Sequence, residues 1–79
     1  MSWKDHIVAD PDVLAGKPVV KGTRLSVQFM LDRLADGWSD QDLYRSYPNL
    51  TPEALHAVFA FASEMLRDEE YVARRKTVG

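Results

Sequence analysis

Three times in this chain a Ser or Thr follows one apolar residue and stands four positions ahead of another: Leu25-Ser26…Met30, Trp38-Ser39…Leu43 and Leu50-Thr51…Leu55. A hydroxyl in that place accepts a hydrogen bond from the unpaired N–H groups of a helix start, while the two flanking apolar side chains close over the first turn. The spacing therefore predicts three helices, at about 26–36, 39–46 and from 52 to at least 67. Asp42, three residues beyond Ser39, extends that cap towards a capping box, and Pro52 carries the fixed φ that suits a first helical position. Gly37 is placed to end the first helix in the left-handed conformation, and Pro48 stops the second.

Helical spacing puts Val27, Met30, Leu31, Leu34 and Ala35 on one face of the first helix and leaves Phe29 on the opposite side. In the third helix Ala54, Leu55, Val58, Phe59, Ala62, Met65 and Leu66 form the expected core stripe. Glu53, His56, Ala57, Ala60, Ser63, Glu64 and Arg67 then face outward. Ahead of the helices, the stretch Pro18-Val19-Val20-Lys21-Gly22-Thr23-Arg24-Leu25 reads as two short β-rich arms around Lys21-Gly22, where glycine permits a tight hairpin turn. Ile7-Val8 offers a third short strand, ended by Asp10-Pro11. The expected domain is a single one over 1–79: short strands and hairpin at 1–25, three helices at 26–67, and a charged extension at 68–79. No repeat or low-complexity segment interrupts it.

A 79-residue chain buries only about 60 to 65% of the surface its unfolded form exposes, so its stability is marginal. It has no cysteine, hence neither a disulfide nor a thiolate metal site to supplement the core, and a partner subunit is the expected remedy. No apolar run reaches the roughly 18 residues of a membrane span, and the first residues lack a signal-peptide core, so the chain is expected in the cytoplasm. The formal net charge is −2, opposite to the bulk basicity of most nucleic-acid binders, so contact with DNA has to be local.

Catalytic and cofactor readings find little to stand on. Gly16-Lys17 lacks the Ser or Thr and the upstream glycine of a phosphate loop. His6 and His56 have no spaced carboxylate pair for a metal or for base catalysis, and no serine lies in a nucleophile-elbow context. No enzyme, metal or cofactor is expected. The second helix, the turn Pro48-Asn49-Leu50-Thr51 and the third helix have helix-turn-helix spacing, in which the later helix enters the major groove. A plain three-helix bundle has the same spacing, and the two glutamates on the outward face of the third helix would repel phosphate. Lys17, Lys21 and Arg24 are the densest basic cluster before the tail; they are either a phosphate or acidic-partner contact or a solvated surface with Arg24 paired to Asp10 or Asp12. Trp3, Phe29 and Phe61 form a candidate exposed apolar patch for a dimer or partner interface, with burial within the monomer as the alternative for Phe29.

The runs Gly16-Lys17-Pro18-Val19-Val20-Lys21-Gly22-Thr23-Arg24-Leu25-Ser26-Val27, Leu34-Ala35-Asp36-Gly37-Trp38-Ser39 and Tyr47-Pro48-Asn49-Leu50-Thr51, with Ile7 and Asp10 ahead of them, resemble the bacterial domain-of-unknown-function family 433 over about residues 5 to 66. The resemblance implies a mainly α, homeodomain-like three-helix fold behind short N-terminal strands, a dimer, and an antitoxin of a type II toxin-antitoxin system. Such an antitoxin neutralises a PIN-like nuclease toxin and represses its own promoter.

Because the likeness concentrates between Gly16 and Arg24, it raises Lys17, Lys21 and Arg24 as contact residues. The full DNA-binding set expected is then Lys17, Lys21, Arg24, Arg45, Asn49, Thr51 and His56, with Glu53 beside them. Arg74 and Arg75 are candidate toxin contacts. The rival expectation is a protein-interaction adaptor with a helix-turn-helix fold and no affinity for DNA.

Overall fold

All three caps close as hydrogen bonds in the computed structural model, which describes residues 2–68. Ser26 Oγ accepts from the Phe29 N–H at 3.0 Å and opens α1, Val27–Ala35. Ser39 Oγ accepts from the Asp42 N–H at 3.1 Å while Asp42 Oδ2 accepts from the Ser39 N–H at 2.9 Å, a reciprocal box that opens α2, Asp40–Ser46. Thr51 Oγ1 accepts from the Ala54 N–H at 3.1 Å at the start of α3, Pro52–Asp68. At the far end of α1, Gly37 has φ +100°, its N–H bonds to the Leu34 carbonyl, and the Trp38 N–H reaches the Arg33 carbonyl. This is a Schellman ending, and it turns the chain sharply into α2.

The N-terminal region pairs differently from the expected hairpin. Strand β1, Ile7–Ala9, runs antiparallel to β2, Pro18–Val20, with Ile7 opposite Val20 and Ala9 opposite Pro18. Beyond the Lys21-Gly22 turn, only a single bridge forms, between Val19 and Ser26. Thr23 shortens the second arm: its hydroxyl donates to the Val20 carbonyl at 2.8 Å and accepts from the Leu25 N–H at 3.0 Å, while the Leu25 carbonyl still accepts from the Val20 N–H at 2.9 Å. Two 3₁₀ turns, at Trp3–Asp5 and Leu14–Gly16, were not anticipated from the sequence. In the second, Leu14, Ala15 and Gly16 all have positive φ, at 48°, 56° and 84°.

The core gathers Ile7 and Val20 from the strands, Val27 and Met30 from α1, Leu43 from α2, Leu50 from the turn, and Ala54, Leu55, Ala57 and Val58 from α3. The covered face of α3 is rotated from the expected one. Ala57, expected outward, is 1% exposed, whereas Phe59 and Leu66, expected in the core, are 47% and 60% exposed. The cause lies at the other end of the chain. The Trp3–Asp5 turn and β1 pack on α3; Trp3 stacks edge-on against Phe61 at 4.8 Å between ring centroids, and its indole N–H donates to Glu64 Oε1 at 2.8 Å. The flank of Ala57, Phe61 and Glu64 therefore faces inward. On α1, Ala35 is exposed rather than in the core, and Phe29 is half-buried. No helix among the described residues is long and apolar enough to cross a membrane.

Candidate nucleic-acid interface

Antiparallel pairing of β1 with β2, followed by the Lys21-Gly22 turn, delivers Lys17 and Arg24 to the same side of the molecule. Together with Leu14, Ala15, Ser26 and Phe29 they line one groove at the start of α1. Arg24 also lines the adjoining groove, whose other wall is Tyr47, Pro48 and Asn49, the turn that leads into α3. Arg24 thus stands between the strand region and the α2–α3 turn. Lys21 is exposed at the tip of the preceding turn.

The pairing proposed for Arg24 is not formed. Among the described residues the two ion pairs are Arg33–Asp36 at 2.9 Å and Arg45–Asp42 at 3.1 Å, so Lys17, Lys21 and Arg24 are all without an acidic partner there. Asp10 instead folds onto its own backbone, its Oδ1 accepting from the Asp12 N–H at 2.9 Å. Unpaired ammonium and guanidinium groups keep their full charge and donors available to an anion.

Among the described residues, Arg45 and Arg33 are engaged. Arg45 lines a separate groove with Gly37, Trp38 and Asp42. Its pair with Asp42 is solvent-exposed and so weak enough to exchange for a phosphate. Arg33 lies over the Phe29 ring at 5.0 Å and the Trp38 ring at 5.9 Å, with its terminal nitrogen on Asp36. That cation braces α1 against the turn after it and is not free to reach out.

Of the other expected contact residues, Asn49 faces the groove beside Arg24, His56 is exposed on α3, and Thr51 is exposed but uses its hydroxyl as the α3 cap. Electrostatics divides this end of the molecule. The Tyr44 phenol is pushed above its ordinary value by burial and then by the charges of Asp40 and Glu53, so the α2 start and first turn of α3 form an acidic flank. The unpaired cations are on the Arg24 side. The box at Ser39 holds the Asp42 carboxyl below its ordinary value, chiefly through hydrogen bonds from Ser39 and secondarily through Arg45.

The proposed apolar patch is not assembled on the surface. Trp3 and Phe61 pack on one another within the chain, and Phe29 lies edge-on to Tyr47 at 5.7 Å and under Arg33. Arg74 and Arg75 lie outside the described residues. Among the described residues no cluster of three or more His, Asp or Glu is arranged to hold a metal ion. The features that sequence reasoning missed are Phe59 and Leu66, the large apolar side chains that α3 exposes, and the left-handed Leu14–Gly16 turn that walls the Lys17 groove.

Fold and groove together define a three-helix protein headed by an antiparallel strand pair, with a cation-lined surface where the strands meet the α2–α3 turn. The chain belongs to the DUF433 family, described as a protein of unknown function, whose family model matches residues 7–62. It is similar to the uncharacterized protein y4eO of Sinorhizobium fredii (strain NBRC 101917 / NGR234), with 30% identity over 59 residues. That match covers 75% of this chain but only 27% of the relative, so the chain spans about a quarter of that protein's length. It is also similar to the crystal structure of a DUF433 member from Anabaena variabilis ATCC 29413, with 25% identity and a TM-score of 0.76 over 85% of this chain and 66% of that one.

Proposed function

We propose that this chain is a DNA-binding regulator of the antitoxin type, a homeodomain-like helix-turn-helix protein that acts as a dimer on its own promoter and neutralises a PIN-like nuclease toxin. The observation that carries the DNA-binding reading is the position of Arg24: an unpaired guanidinium flanked by Lys17 on one side and by Asn49, in the turn before α3, on the other. Cations beside the entry to a recognition helix hold phosphates and fix its register in the groove, while base edges are read by the first turns of that helix. In this reading Lys17, Lys21, Arg24 and Arg45 contact phosphate, and Asn49, Thr51 and His56 approach the bases. The toxin and promoter assignments rest on the antitoxin character that the family likeness implies.

A gel-shift series on the DNA upstream of its own coding sequence tests the proposal, with and without the neighbouring gene product. A shift that weakens steeply with added salt is expected. No shift even at low salt removes the DNA-binding part.

A second reading has its own observation. Phe59 and Leu66 are exposed and Glu53 faces solvent on α3, which suits a protein-interaction adaptor that never meets DNA. Copurification with the neighbouring gene product combined with no DNA affinity selects it.

A further inference from the structure

Lys17 and Arg24 each belong to two recesses. Lys17 and Ser26 line a small bay with Pro18 and Gln28, and also the larger bay walled by Leu14, Ala15 and Phe29. Arg24 lines that larger bay and the next one, at Tyr47, Pro48 and Asn49. Three bays therefore run into one path, with a cation at each of the two junctions. Although the chain has 12 Asp and Glu against 10 Lys and Arg, no acidic residue among those described lines any of the three bays.

The central bay is largely apolar and held in shape. Arg33 over the Phe29 ring and Tyr47 edge-on to it at 5.7 Å fix one side. Another wall is the Leu14–Gly16 turn, where Leu14 and Ala15 keep φ of +48° and +56°, the kind of backbone strain that persists at ligand clamps. In duplex recognition a protein element enters the groove of the nucleic acid. Here the recess belongs to the protein, and a single strand with unstacked bases is the form that enters it. Cations alternating with apolar bays match a polymer that alternates phosphates with apolar-faced bases.

We propose that this path binds single-stranded RNA, with Lys17 and Arg24 each on a phosphate and a base in the Phe29 bay between them. Ser46 and Asn49, exposed in the bay beside Arg24, favour ribose over deoxyribose, because a hydroxyl and an amide both donate to and accept from a 2′-hydroxyl. The proposal does not rest on the duplex reading, although it uses the same two cations.

Fluorescence anisotropy of the full chain with a labelled RNA of about ten nucleotides, inside the roughly 4–16 that such grooves span, tests it. Binding should be tighter than to single-stranded DNA of the same sequence. The slope of log affinity against log salt should be at least about −1.4, from about −0.7 for each of two phosphates. Lys17→Ala and Arg24→Ala, both at exposed positions and checked for retained helix by circular dichroism, should each flatten it by about 0.7. Arg67→Ala removes the same charge in the last turn of α3 and should leave it unchanged. Ser46→Ala combined with Asn49→Ala should erase the preference for RNA over DNA.

No binding of the RNA at low salt overturns the proposal, as does equal affinity for the two sugars or a slope that Arg67→Ala flattens as much as Arg24→Ala does. Polyglutamate that displaces the label as readily as unlabelled RNA makes the path a site for acidic peptide and overturns it too. Duplex from upstream of the coding sequence separates the two readings: RNA bound without duplex removes only the DNA-binding one, and duplex bound without RNA removes only this one.

Discussion

Trp3 and Glu64, 61 positions apart in sequence, are joined by a 2.8 Å hydrogen bond from the indole N–H to the carboxylate. This bond and the edge-on contact with Phe61 decide which side of α3 faces inward. Trp3→Phe retains the ring contact but removes the donor, and should lower stability by about 0.5–1.5 kcal/mol, the usual net worth of such a bond. Thermal denaturation checks this; in a domain of this size each kcal/mol moves the midpoint by roughly 4–8 °C. An unchanged midpoint would show that the bond does not anchor the turn.

The two arginines of the candidate interface should behave differently on DNA. Arg24→Ala removes an unpaired cation and should lower affinity for all sequences alike while reducing the salt slope by about 1. Arg45→Ala removes one already bound to Asp42, so its effect should be smaller. Binding isotherms at several salt concentrations read both, and an Arg45 effect as large as that of Arg24 would contradict the division drawn between them.

Acid should loosen α2 through its cap. The Asp42 carboxyl titrates below its ordinary 3.8 in the folded chain, so as pH falls the unfolded chain takes up this proton first. The stabilisation is complete above the unfolded value and disappears as pH drops through the folded one. Asp42→Ala should therefore be less stable than wild type at neutral pH, and the gap should close once acid has protonated the native carboxyl. Melts across an acid pH series measure the gap; one that does not vary with pH would rule out a carboxylate origin.

Gly37 has φ +100°, and the space that a Cβ would occupy there is open to at least 4 Å, so a side chain at this position meets backbone strain and no clash. Gly37→Ala should cost on the order of 1 kcal/mol. Gly37→Asn should cost less, since Asn tolerates the left-handed region better than Ala. Denaturant titration of the two variants gives the comparison, and equal losses would point away from backbone strain.

Local chemistry was the legible part of this chain. Ser26, Ser39, Thr51 and Gly37 act within four residues of their partners, so the three helices could be read directly from the sequence. The face that α3 buries could not, because its apolar residues span more arc than its neighbours cover. The choice between Ala57 and Phe59 is made by Trp3, from the far end of the chain. Neither Leu14 nor Ala15 belongs to a residue type that favours positive φ, so the left-handed wall of the groove had no sequence signal beyond Gly16. Within the candidate site, Lys17 and Arg24 stood out as a local basic cluster. The adjacency of Arg24 to Asn49 depends on how β2 and the α2–α3 turn come together, a long-range arrangement without a local signature.

The dependence of the N-terminal turn on α3 also orders events during synthesis. Trp3 leaves the ribosome first, yet its acceptor on Glu64 is among the last parts of the described fold to emerge. Until then Ile7 and Trp3 have no helix to rest on, and the newborn polypeptide carries greasy surface that only the arrival of α3 can hide.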